Sequence, residues 1–141
     1  MNRNKAAQEY AKLNRSTALE DANPHQLIQM LFQGALDSMQ QAIGSIERSE
    51  FEQKGRHIGR AISIIGGLQG VLDHEKGGEI SANLDRLYDY MAIRLYEATA
   101  ENSVAKVREV IDLMKEIKTG WDGIAQEASR IFAEGKQQVA G

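Results

Sequence analysis

The stretch LDHEKGGEISANLDRLYDY, Leu72 to Tyr90, holds the decision about the fold. It sets two adjacent glycines, Gly77 and Gly78, among His74, Lys76, Arg86 and several carboxylates, with a few apolar residues between them. Three structures compete for such a composition: a phosphate-binding loop, a metal site, or a bend between two helices. A phosphate loop needs GxxxxGK[ST] after a strand, and neither that spacing nor a strand pattern is present. Asp73, His74, Glu75 and Glu79 are weak donors for an ion, and a solvated loop is the simpler account of them. The apolar residues on either side decide the matter, because both flanks repeat with a helical period. A chain that reverses between two helices needs φ > 0, which glycine supplies, so the pair predicts a helix-to-helix turn.

Working outward, the first long pattern starts at Asn23-Pro24, with Asn23 placed to cap, Pro24 suited to the first helical position and Gln26 at the capping-box position. Ile28, Leu31, Ala35, Met39, Ala42 and Ile46 then recur at three and four residues, to about Glu47, before Arg48-Ser49-Glu50 interrupts them. A second stripe, Ile58, Ala61, Ile62, Ile65, Leu68 and Leu72, carries the chain to Asp73. Gly55, Gly59, Gly66, Gly67 and Gly70 weaken its intrinsic helicity, each by up to about 1 kcal/mol against alanine, so this helix depends on tertiary contact. The third stripe is the cleanest. Ile80, Leu84, Leu87, Tyr88, Met91 and Leu95 lie within an arc of about 100°. The fourth runs from Val104 through Val107, Val110, Met114, Ile117, Trp121, Ile124 and Ala128 to Ile131, crossing Gly120 and Gly123, where a kink is expected.

Four helices with short connections predict an all-α, elongated, antiparallel four-helix bundle. A short amphipathic helical segment, Ala6 to Leu13, precedes it, with Tyr10 and Leu13 on one side. The expected organisation is an amino-terminal segment over residues 1–22, the bundle over 23–133 and a flexible tail over 134–141, whose EGKQQVAG has no periodicity.

Composition agrees with one helical domain. The chain has 141 residues, enough to bury roughly two-thirds of its unfolded surface, and a single proline. Its 17 Lys and Arg against 20 Asp and Glu are interspersed, which argues against a nucleic-acid footprint. It has no cysteine, hence no disulfide or thiol chemistry, which fits a reducing, cytoplasmic setting. The amino terminus lacks the apolar core of a secretory signal, and no run approaches the roughly 18 apolar residues of a membrane span, so no membrane insertion is expected.

Catalytic and metal chemistry find no support, and no cofactor is expected. A di-metal bundle needs Glu-x-x-His units, but Ala22, Lys54 and Val71 stand three residues before His25, His57 and His74. A histidine phosphotransfer bundle has a His-x-x-Lys-Gly pattern on an exposed face. Here His57 is followed by Arg60 and Ala61 and borders the apolar stripe, so it reads as a boundary histidine. No strand-turn-helix carries a serine, and no carboxylate pair sits in apolar surroundings, so no enzyme activity is expected.

What remains is surplus apolar surface. On the first helix the arc from Leu27 to Leu36 spans about 180°, with Met30 outside it, where a core-facing stripe needs little over 100°. Ile64 and Val71 widen the second stripe to about 180°, while Tyr90 and Tyr96 flank the third on opposite sides. Helices buried on more than one face satisfy this pattern. So does a groove for another amphipathic segment, with methionine adaptable and tyrosine apolar with a polar tip.

Three motifs then resemble one family. NPHQLIQMLFQGAL, Asn23 to Leu36, is similar to its entry into the first long helix, with Phe32 where the family more often has tyrosine. KGGEISANLDRLYDYM, Lys76 to Met91, resembles its Gly-Gly turn followed by Leu-Tyr-Asp-Tyr, and LMKEIKTGW, Leu113 to Trp121, its tryptophan-closed helix. Their order and spacing resemble the FliS family of flagellar export chaperones over nearly the whole chain. The resemblance implies a cytoplasmic chaperone that binds the disordered C-terminal segment of flagellin, prevents premature polymerisation and aids delivery to the type III export gate. A flagellar regulatory protein and a second copy of the free chain are further candidate partners. The groove candidates are Leu27, Met30, Leu31, Ile64, Leu68, Val71, Tyr88 and Met91, with Tyr10 and Leu13 as a cover when the partner is absent. A phosphotransfer-like bundle and a structural helical adaptor are the alternatives.

Overall fold

Apolar periodicity, local caps and unequal helix lengths together set the architecture. The computed structural model describes residues 24–140, with side chains through Gly123. Asn23 and the amino-terminal segment with Tyr10 and Leu13 lie outside the described residues. Four helices follow one another: α1, Pro24–Glu47; α2, Phe51–Gly70; α3, His74–Glu101; and α4, Val104–Ala140. In space α1 lies against α2 and α4, and α3 against the same two, while the diagonal pairs do not meet among the described residues. Cross-links show the alternating direction. Gln29 near the start of α1 bonds Asp122, Lys54 near the start of α2 bonds Asn102 just past α3, and Arg94 late in α3 bonds Glu109 early in α4. This is the antiparallel bundle its stripes predict. At 1.5 Å per residue α4 is about 55 Å long and α1 about 36 Å, so the bundle is elongated and α4 outruns its neighbours.

Each connection is closed by a specific device. Ser49 adopts the left-handed conformation (φ 57°), and Glu50 N–H donates to Ser45 O at 2.8 Å, ending α1 in a Schellman-like turn. Asn102 (φ 54°) ends α3 the same way, with Ser103 N–H donating to Ala98 O at 3.0 Å. Ser103 in turn caps α4 through its Oγ, which accepts from Lys106 N–H at 3.2 Å.

The reversal between α2 and α3 differs from its sequence reading. α2 stops at Gly70 and not at Asp73. Leu72 N–H donates back to Gln69 O at 3.2 Å, and Asp73 caps α3 by accepting Lys76 N–H at 3.0 Å. A side-chain cap at Asp73, four residues ahead of the glycine pair, sets the helix start, so Gly77-Gly78 lies inside α3, after its first turn. Gly78 still has the positive φ expected (φ 50°, ψ −121°) and breaks the helical path there. Gly77 is required for a different reason: a Cβ on it would lie 1.8 Å from Ser81 Oγ, which donates to Asp73 O at 3.0 Å.

At the carboxyl end α4 passes Gly120 and Gly123 as one helix, and a Cβ at either glycine would meet nothing within 4 Å. The same helix runs on to Ala140.

The core is sealed by Leu31, Phe32, Ala35 and Met39 of α1, Ile58, Ile65 and Leu68 of α2, Tyr88, Met91 and Leu95 of α3, and Val107, Val110 and Met114 of α4. The wide arcs on α1 and α2 are thereby largely explained, because each of these helices packs on two neighbours. Five groove candidates, Leu31, Ile64, Leu68, Tyr88 and Met91, belong to this core, and of these Leu31, Ile64 and Met91 do not line the groove at the open end of the bundle. Conversely Ile80, counted with the third stripe as core-facing, is 71% exposed.

Candidate functional site

Where α2 ends, the bundle opens. Gln69 on its last turn already faces Asp85 and Asp89, with Nε2 donating to Asp85 O at 3.2 Å and to Asp89 Oδ1 at 2.7 Å. The residues of α3 before Asp85 therefore run past the end of α2, beside the Val71–Asp73 connection, where Ser81 Oγ donates to Asp73 O. A groove of about 480 Å³ results, lined by Ile28 and Phe32 of α1, Leu68 of α2, Val71, Leu72 and Asp73 of the connection, Gly77, Ile80, Ser81, Leu84 and Tyr88 of α3, and Glu116, Ile117, Gly120 and Trp121 of α4.

Trp121 forms one wall and is pinned from several sides. Its Nε1 donates to His25 O at 3.1 Å, its ring stacks on the His25 imidazole with centroids 5.1 Å apart, and Phe32 leans on it at 6.5 Å. One residue on, Asp122 accepts from Gln29 Nε2 at 2.9 Å and from Lys118 Nζ at 2.6 Å. The Lys118 bond first, and the Gln29 bond after it, hold the Asp122 carboxyl below its usual range. His25 Nδ1 is buried without a hydrogen-bond partner among the described residues. At the floor, burial pushes the Tyr88 phenol well above its ordinary pKa, so it stays neutral and acts as apolar surface.

The opposite end of the bundle is closed. Lys54 is buried, and its Nζ donates at 2.8 Å to Thr99 O, a backbone carbonyl that the end of α3 leaves open, and at 2.7 Å to the side-chain Oδ1 of Asn102. Between α3 and α4 runs a polar seam in which Arg94 bonds Glu97 and Glu109, Lys106 bonds Glu97 and Glu101, and the Tyr90 hydroxyl donates to Glu109. Facing outward on α3, Ile93 and Tyr96 are exposed.

Of the sequence candidates, Leu68, Val71 and Tyr88 line the groove, Val71 at its open edge. Leu27 and Met30 are half-buried on α1 and do not line it. The groove also takes in Ile28, Phe32, Leu72, Ile80, Leu84, Ile117 and Trp121, of which all but Phe32 belong to the stripes that the sequence assigns to the bundle. The signal that finds them is helix length: α2 has 20 residues against 28 in α3. Stripes on the longer helices must emerge from the core where the shorter one stops. His57, the phosphotransfer candidate, is partly buried beside the buried Ile58. Among the described residues no group of three His, Asp or Glu side chains is placed to hold a metal ion, and no helix is long and apolar enough to cross a membrane.

The arrangement, a helical bundle with an apolar opening lined by all four helices, suits a protein that binds another chain. Comparison with known proteins agrees. The family described as "Flagellar protein FliS" matches residues 6–128. The chain is 50% identical over 121 residues to the flagellar secretion chaperone FliSB of Pseudomonas aeruginosa, covering 86% of this chain and 96% of that one. It is 42% identical over 121 residues to the flagellar secretion chaperone FliS of Salmonella typhimurium (85% and 90% of the two chains), and 30% identical over 104 residues to that of Bacillus subtilis (74% and 77%). With a family match over most of its length and relatives at 50% and 42% identity covered over 96% and 90% of their own length, this chain belongs to the FliS family, a family of flagellar secretion chaperones and not of enzymes.

Proposed function

We propose that this chaperone binds the disordered C-terminal segment of flagellin, with the groove at the open end of the bundle as an anchor point. One observation carries the reading: apolar residues of all four helices and of the α2–α3 connection converge on an opening that no other part of the described chain fills. Flagellin's segment would supply there the apolar face that it otherwise buries against neighbouring subunits, which keeps flagellin from polymerising before export. The groove holds only a short part of an amphipathic helix, so a longer segment must continue over other surfaces, for which Ile93 and Tyr96 on α3 are exposed. Affinity then comes from extended contact, reduced by several kcal/mol of ordering cost, and release needs no bound nucleotide.

In this reading the complex forms in the cytoplasm and is handed to the type III export gate. Residues 1–22 act as a unit that covers the groove through Tyr10 and Leu13 when flagellin is absent. A regulatory protein, or a second copy of the free chain, competes for the same opening. Deleting residues 1 to 15 should change flagellin affinity, and an unchanged affinity would remove the cover from the scheme.

Calorimetric titration with the C-terminal segment of flagellin from the same organism, at two temperatures, tests the central claim. An equimolar complex with a clearly negative heat-capacity change is expected. Trp121 is the chain's single tryptophan, so its emission should shift as the groove wall becomes covered. No heat, and no complex on gel filtration, would overturn the reading.

A further inference from the structure

We infer that the groove selects, within the segment it captures, a turn in which a lysine or arginine lies next to the apolar anchors. The inference rests on the groove being the capture surface and adds the charge that its occupant must carry. Only two of the lining residues are charged, Asp73 and Glu116, and both are acidic and exposed. They stand on different walls, Asp73 on the α2–α3 connection and Glu116 on α4. Neither has a cationic partner among the described residues. Of the cations close to them in sequence, Lys118 is bonded to Asp122, and Lys76 and Lys115 do not line the groove.

The two carboxylates are not equivalent. Asp73 already accepts Lys76 N–H and faces the positive end of the α3 dipole, so part of its charge is answered within the protein. Glu116 has no such compensation and is the larger contributor. A cation brought against it lies beside an apolar wall, where attraction is stronger than in bulk water. An Asp or Glu in the same place of the ligand is repelled, so the pair sets register and partner choice more than raw affinity. The amino-terminal residues proposed to cover the groove share this chemistry, with Arg3, Lys5, Lys12 and Arg15 against Glu9 alone over residues 1–15.

The test compares the full chain with its Glu116→Gln, Asp73→Asn and double variants, in titrations with the flagellin C-terminal segment. Asn retains the cap at position 73, and Gln keeps the exposed helical surface at position 116, so circular dichroism should be unchanged. Ionic strengths of about 0.01 M and about 1 M change the screening length from about 30 Å to about 3 Å. At the lower strength the double variant should bind roughly three- to tenfold more weakly than the unmodified chain, with Glu116→Gln giving most of the loss, and at the higher strength the difference should vanish. Copies of the segment with single Lys or Arg residues changed to Gln should include one that binds the unmodified chain and the double variant equally. Equal affinity of the two proteins for the native segment at both ionic strengths would overturn this inference while leaving flagellin capture intact. No complex with the unmodified chain would overturn both.

Discussion

At the end where α1 hands over to α2, Ala42, Ile43, Ile58, Leu95, Ala98 and Val107 are buried, and the buried Lys54 ties α2 to the last turn of α3. At the other end, Val71 and Ile80 are 43% and 71% exposed, and Ile28, Leu72, Leu84, Ile117 and Trp121 are only partly covered. The side chains are of one kind, and the stripes that supply them run without change of phase from one end to the other. What differs is the number of helices present at each level. Four meet at the closed end, whereas α2 has stopped where Ile80 stands. An opening can thus be built into a bundle by shortening one helix, without altering the amphipathic pattern of the others.

The largest effects should come from the closed end. Leu95→Ala removes a fully buried side chain and is expected to destabilise the chain by about 2–5 kcal/mol in urea unfolding. A loss near zero would mean that this end is not the sealed half of the molecule. Next is Lys54→Ala, which leaves the Thr99 carbonyl and the Asn102 amide without their donor inside the bundle. We expect a cost of about 1–3 kcal/mol, and a Lys54→Ala chain as stable as the original would show that α3 ends without needing this clamp. At the open end the order inverts. Ile80→Ala should change stability by no more than about 0.5 kcal/mol yet weaken flagellin capture. Stability and capture falling together would assign Ile80 to the core after all.

The smallest effect is electrostatic and lies on the surface of the closed end, beside the α3–α4 turn. The Glu109 carboxyl is held below its ordinary range by the Tyr90 hydroxyl first and Arg94 second, and that of Glu97 by Arg94 first. Groups depressed in the folded state contribute stability that is fully present above their unfolded pKa, about 4.3 for glutamate, and lost as pH falls through the lower folded value. Stability should therefore decline on acidification below about pH 5, and Glu109→Gln should flatten that decline. Because the seam is exposed and screened, the change is expected to be slight, and the same slope in both proteins would show that the seam contributes nothing.

The sequence candidates for the groove divide along the same line. Leu31, Ile64 and Met91 lie on wide arcs or in matched motifs, yet they are core, because each of their helices has neighbours on two sides. Leu68, Val71 and Tyr88 carry the same pattern and line the groove, because they sit where α2 runs out. Nothing in residue type separates the two sets. Ile80 and Leu84 belong to the cleanest stripe in the chain, and that regularity made them look like core.

By itself the sequence determined the four helices, their alternating direction and the approximate place of each turn, since apolar period, capping residues and positive-φ glycine act within a few residues of one another. Its three motifs also pointed to the family that the comparisons establish. The structure adds that Asp73, through a local cap, and not Gly77 starts α3 and that Gly120 and Gly123 leave α4 continuous, and tertiary packing alone decided which apolar residues remain uncovered. Burial depends on how many helices reach a given level, and that is a property of their lengths and packing together, which no single stripe contains.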